Sequence, residues 1–289
     1  FKQSLLSLFR DSSLMSDENM LFSGDTSYDS STLNCEIYSD INSSDRYQQI
    51  QSYKPLHANE VRVPILLYVD KANIDEKGTI NFEPIMYTLG WWNVITRKLP
   101  QAWRCFGLIN DFDMKSKEFK KASTVDKARN YQLCVKTIIE SLVLTQKEDG
   151  ILYNLQYKKR MHSCCLTFVV QFLCGDMKAT DVMCGILAGH SIDMARSNHD
   201  CDCKPIDNDK YQKRCTFVTR HEIESLYLSN NKEMKQLVHT KYSQNILDIA
   251  MYRLNFGGCK HHIHGNSPMD LLHSLNLGIY KYLLDTLYG

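Results

Sequence analysis

The run from Val61 to Val69, with the single aspartate that ends it, constrains this chain more than any other stretch. Val63, Ile65, Leu66, Leu67, Tyr68 and Val69 form a nearly unbroken apolar series of core-strand length, rich in the β-branched and aromatic types that pack well on a pleated surface. Asp70 closes it, and Lys71 to Gly78 reads as a turn into a second strand. A carboxylate at the end of a buried strand has to stay hydrated or be met by hydrogen bonds or a cation, because an unpaired charge is very costly to take out of water. A divalent metal is the partner expected for Asp70. The ordinary alternative for an aspartate at such a place is a cap or a turn former.

The remaining elements follow in a definite order. Phe1, Leu5, Leu6 and Phe9 give residues 1–10 the apolar face of a short helix, whereas residues 11–53 are dominated by Ser, Asp, Asn and Gln. Residues 1–55 are therefore expected to be a flexible N-terminal extension or linker. The second strand is expected at Ile85 to Tyr87 and on through Trp92, Val94 and Ile95. Arg97 to Pro100 then turn the chain into a third strand at Ala102 to Ile109. Ser123, with Asp126 three residues on, is close to a capping box, and Tyr131, Val135, Ile138, Ile139 and Leu142 recur at helical spacing. That predicts a helix from about Val125 to Gln146. Ile151 to Arg160 is a short amphipathic passage, and Cys164 to Cys174 is a second core strand, which ends in Gly175 and a second acid, Asp176. Apolar residues at 179, 182, 183, 186 and 187 predict a helix over Met177 to Ala188, with Gly189 as its cap.

Three strands, a helix, a strand and a helix make an α/β domain. A strand, a crossover containing a helix and another strand most simply pair in parallel, so the fourth strand is expected beside the first. Asp70 and Asp176 then lie at the ends of adjacent strands, which is the ribonuclease-H-like arrangement. Two carboxylates brought together repel each other, and a bridging cation relieves the repulsion. Two magnesium ions at such a pair suit in-line phosphoryl displacement.

Composition limits the alternatives. The 289 residues are 43% hydrophobic, enough for a real core, and the formal charge is +1, so nucleic-acid binding has to come from local patches. Eleven cysteines without a secretory leader suggest a reducing compartment. The longest apolar run, Cys164 to Gly175, is too short to cross a bilayer, so no membrane partner is expected. The chain opens at Phe1 without a methionine and stops just after an apolar stretch, and it is read as an excised, C-terminally truncated fragment.

Six stretches carry a resemblance: ILLYVDKANID, FEPIMYTLGWWN, RKLPQAWRCFGLI, FVVQFLCGDMKATDVMCG, CDCKPIDND and HGNSPMDLLHSLNLGIYKYL. Together, over roughly Pro64 to Leu284, they resemble the transposases of the CACTA superfamily, most closely the Plavaka type. The resemblance implies a DDE-type catalytic core on a ribonuclease-H-like fold, with a long insertion before the third acid. It implies core residues at 56–190, the insertion at 191–258 and the end of the core at 259–289. It also implies Asp270 as the third acid, three residues before His273, which would orient phosphate or water; a plain helix start is the alternative role for Asp270. The implied activity is metal-dependent cleavage and strand transfer at transposon ends. Asp70, Asp176 and Asp270 would hold two Mg2+ or Mn2+ ions, with DNA as partner, a homo-oligomeric assembly and a nuclear location. A decayed or host-retained relative that binds DNA or protein without catalysis, and a nuclease of the same fold, are the other readings.

Two further sets of residues stand out. Cys201, Cys203, Cys259 and His264 offer four donors for a structural zinc, with His199 as a replacement and free thiols with surface histidines as the alternative. Lys158, Lys159, Arg160, Lys213 and Arg214 are candidates for phosphate contact, against an ordinary solvated face. Trp91 and Trp92, on a regular strand, would point to opposite sides, leaving one in need of a cover, a partner or a bound base.

Overall fold

A computed structural model describes residues 1–22, 40–53, 59–73, 81–110, 121–186, 231–233, 236, 245, 247–258, 263 and 266–267. The expected strand is present as β1 (Glu60–Val69), and Val63, Ile65, Leu67 and Val69 are fully buried. It lies in the middle of a mixed six-stranded sheet. On one side β1 pairs antiparallel with β3 (Asn81–Leu89), which also pairs with the two-residue β2 (Ala72–Asn73) and with β4 (Arg104–Asn110). On the other side it pairs in parallel with β6 (Arg160–Gly175), whose first half forms a hairpin with β5 (Ile151–Tyr157).

The parallel pairing of β1 with β6 requires a crossover, and a long helix between β4 and β5 provides it (Thr124–Lys147). Its start is the one expected: the Ser123 hydroxyl accepts the Asp126 amide at 3.1 Å. Val135, Ile139, Leu142 and Val143 are buried against the sheet. Numbering helices in chain order, α1 is Lys2–Phe9, α2 is Asp45–Ser52, α3 is the single turn Val94–Arg97, α4 is the crossover helix, and α5 is Met177–Cys184. Beyond α5, the backbone amides of Val170 and Leu173 donate to the carbonyls of Asn255 and Asn266 at 2.9 and 2.8 Å, so a late segment lies along the second half of β6.

Four expectations are corrected. The second strand starts earlier and stops at Leu89, because the Asn93 side chain accepts the Thr96 amide at 2.8 Å and caps α3 where Val94 and Ile95 suggest a strand. Ile151 to Arg160 is β5, a two-residue turn and the first residue of β6, which starts before the expected Cys164. The last helix ends at Cys184, with Gly185 in the left-handed conformation as its cap in place of Gly189. Finally, the described parts of residues 1–55 pack into the core.

That last correction has a plain cause: the few apolar residues of this polar stretch are spaced to fill the sheet's side. Leu5, Leu8, Phe9, Leu14, Met20, Tyr47 and Ile50 are all buried. Polar groups fasten the same stretch. Asp40 caps a 3-10 turn, accepts the Val94 amide at 2.8 Å and pairs with Arg97. The Arg62 guanidinium bonds the carbonyls of Ile50 and Tyr53. Trp91 and Trp92 are consequently fully buried, and the cover is the chain's own N-terminal segment. The rings of Phe9 and Phe22 lie 5.5 and 5.7 Å from Trp91, and Met20 bridges Trp92.

Candidate active site

Both acids that end apolar runs in the sequence come to one edge of the sheet. The β1–β6 register pairs Val69 with Gly175, so Asp70 and Asp176 each directly follow the last paired residue of neighbouring parallel strands. Gly175 makes that closeness attainable. Its φ is +153°, and a Cβ built there would stand 2.1 Å from the Val69 carbonyl oxygen, so only glycine lets β6 press against β1 just before the acid.

The two carboxylates are held differently. Asp70 lies half-buried in the gap between β1 and β2, which share one register against β3; Pro84, the β3 residue opposite it, has no N–H to give either neighbour. Its Oδ1 accepts the Lys71 amide at 2.7 Å and its Oδ2 the Tyr68 hydroxyl at 2.9 Å. Asp176 is the N-cap of α5. Its Oδ1 accepts the Ala179 amide at 2.5 Å, and its carbonyl accepts the amide and hydroxyl of Thr180. A negative charge here is favoured by the helix dipole.

Two residues beside this edge are not marked as site residues by the sequence. Glu83, next to Pro84 on β3, accepts a hydrogen bond from the Tyr131 hydroxyl of α4. Burial pushes the Tyr131 phenol up, and the Glu83 carboxylate and the charge of Asp176 push it further, so Tyr131 stays a neutral donor at any physiological pH. Tyr131 belongs to the apolar stripe recognised in the sequence, but which acid its hydroxyl meets depends on the packing of α4 over β3. Cys174, paired in register with Tyr68, has its thiol pushed up to about 11 by burial and is a neutral filler here.

The other expected site residues divide by position. Asp270, His273, Cys201, Cys203, Cys259, His264, Lys213 and Arg214 lie outside the described residues. Among the described residues no three His, Cys, Asp or Glu side chains gather as a metal site. Lys158, Lys159 and Arg160 sit at the β5–β6 turn, at the opposite end of β6 from Asp176.

A mixed α/β sheet with two aspartates directly following neighbouring parallel strands defines the fold class. The family is shown by comparison. A model of the Plavaka transposase family matches residues 5–286, nearly the whole chain, and the chain belongs to that family. No curated protein matches it. Membership suggests transposase function and makes DNA the expected partner. Among the described residues no helix is long and apolar enough to cross a membrane.

Proposed function

We propose that the chain is the catalytic core of a DDE-type transposase on a ribonuclease-H-like fold, cutting phosphodiesters at transposon ends and joining them to target DNA. The observation that carries this reading is the register of β1 and β6, which makes Asp70 and Asp176 successors of one paired position. The element order supports it: an antiparallel β1–β3–β4 set, the α4 crossover, β6 in parallel beside β1, and α5 after the second acid. A further support comes from the late segment. The Asn266 carbonyl bonds the Leu173 amide, and Ser267 lies 3.5 Å from the Cys184 thiol. Asp270 follows Asn266 by at most about 14 Å of extended chain, which keeps it within reach of the same edge.

The donors fit a hard divalent cation: both groups are carboxylates, and Asp176 Oδ2 has no protein partner among the described residues. Asp70, Asp176 and Asp270 would hold Mg2+ or Mn2+, which when bound supplies Lewis-acid assistance to in-line displacement at phosphorus. The chain's own contribution is orientation. Tyr68 and the Lys71 amide aim the Asp70 carboxylate, and the first turn of α5 aims that of Asp176. His273 beside Asp270, a zinc held by Cys201, Cys203, Cys259 and His264, a homo-oligomeric assembly and a nuclear location complete the reading.

A second reading is favoured by a specific feature: each acid already has a local structural role, Asp176 as helix cap and Asp70 in a strand-end turn. A non-catalytic relative would keep both for that alone. Incubating the protein with Mg2+ and a labelled duplex carrying the element's end separates the cases. Nicking that disappears in Asp70→Asn, followed by joining to a second duplex, supports the transposase. Nicking without joining leaves a nuclease, and no nicking by the wild-type chain leaves the non-catalytic relative.

A further inference from the structure

From Ile151 to Gly175 the chain contains no aspartate or glutamate, in a protein with 33 of them, and its only formal cations are Lys158, Lys159 and Arg160. These three sit together at the β5–β6 turn, where Tyr157 pairs with Arg160 and two residues close the hairpin. Both turn residues are lysines at positive φ, 49° and 62°, the conformation of a type I′ turn, for which Asn and Gly are the favoured residues. A side chain in that region is strained by its own Cβ, so two lysines here work against the stability of the hairpin. Backbone strain of this kind points to a use for the side chains.

The turn is nevertheless held firmly. Asp17 Oδ1 accepts the Lys158 amide at 2.9 Å, and the Lys158 ammonium lies 4.9 Å from the centre of the Tyr157 ring. Lys159 and Arg160 are exposed and make no ion pair among the described residues. Beside them His162 and Ser163 are exposed on β6, and Asn154 and Gln156 on β5, with the apolar Met161 and Leu152 exposed among them. Asp17 and Glu18 line a groove with Asn154, Gln156 and Met161, and Lys159 and Arg160 lie outside that lining, which leaves these two for an anionic partner.

β6 is 16 residues long and carries this basic turn at one end and Asp176 just past the other. At the usual rise the two are separated by about 50 Å along the strand. We propose that the β5–β6 turn grips the phosphate backbone of duplex DNA about 15 base pairs, more than one helical turn, from the position held at the Asp70–Asp176 edge. It thus acts as a sequence-independent clamp apart from the chemistry. The proposal rests on the transposase reading for its partner, duplex DNA.

The test is binding with Ca2+ in place of Mg2+, a cation that fills carboxylate sites with a looser geometry and so supports binding without cleavage, of random-sequence duplexes of about 10 and 30 base pairs, chosen to fall short of and to exceed that span. It compares the wild-type chain with the triple variant Lys158→Asn, Lys159→Gly, Arg160→Gln. The wild type gains affinity sharply on the longer duplex, because one molecule then engages both regions. The variant loses that gain, binds the long duplex about tenfold more weakly, and shows a salt slope shallower by about two to three phosphate contacts. It also melts at or above the wild-type temperature, since Asn-Gly relieves the turn, and this removes misfolding as the cause. An unchanged salt slope, or the same length dependence in both proteins, overturns the clamp. Absence of Mg2+-dependent nicking would remove the transposase reading and leave this binding result standing on its own.

Discussion

Asp176 caps α5, and in the proposed reading the same carboxylate also holds a cation; the choice of substitution separates the two roles. Asn caps a helix about as well as Asp, while Ala does not, so Asp176→Ala is expected to cost about 1 kcal/mol of stability and Asp176→Asn almost none. Both are expected to abolish Mg2+-dependent nicking, since neither keeps the charge. A thermal melt beside the nicking assay reads the two effects apart; an Asn variant that still nicks assigns Asp176 to the cap alone. At this scale the sequence was informative where the chemistry is local. Two apolar runs that each stop at an acid mark Asp70 and Asp176, and the glycine before the second is explained by the Val69 carbonyl against which it packs. Glu83 and Tyr131 were not legible, because their contact joins residues far apart in the chain and depends on how α4 crosses β3.

Among the elements, those with a long uniform pattern were the most legible: β1 and α4 stand where apolar spacing places them, and so does the buried part of β6, although that strand begins at Arg160, four residues before the expected Cys164. The misread ones are short and carry conflicting signals. Val94 and Ile95 favour a strand by type, yet Asn93 starts a helical turn; Ile151 to Tyr157 is amphipathic and finds its partner only through the turn that follows. The junction between α1 and β3 offers a pH test. The Tyr87 hydroxyl meets Ser4 at 2.6 Å, and burial pushes it from its ordinary 10 up to about 12. The folded state therefore keeps a proton that the unfolded chain releases, so this residue's contribution to stability is intact below pH 10 and is lost as the pH rises toward 12. Melting temperature followed from pH 8 to 12 should fall less steeply above pH 10 in Tyr87→Phe than in the wild type, after an initial loss of about 1 kcal/mol for the missing hydrogen bond. Parallel slopes would show that Tyr87 does not titrate in this way.

For the molecule as a whole, the described parts of the polar N-terminal stretch, residues 1–22 and 40–53, prove to be part of the fold. Composition alone could not show this, because burial here depends on seven well-spaced side chains and not on average hydropathy. Removing residues 1–22 is expected to expose Trp91 and Trp92 together with the apolar side of the sheet, and the shortened chain should be insoluble or lack a cooperative melt. A shortened chain that melts like the wild type would restore the reading of a loose extension. The same view sets the acids at one end of β6 and the basic side chains at the other, so the proposed chemistry and the proposed DNA grip would be separated along a single strand. Cation binding at the acidic end can be measured without DNA or turnover, by following free Mn2+ with electron paramagnetic resonance during titration of the wild type, Asp70→Asn and Asp176→Asn. A cation shared by neighbouring strand ends requires each variant to bind Mn2+ at least about tenfold more weakly than the wild type while melting normally. Equal Mn2+ affinity in all three proteins would contradict it.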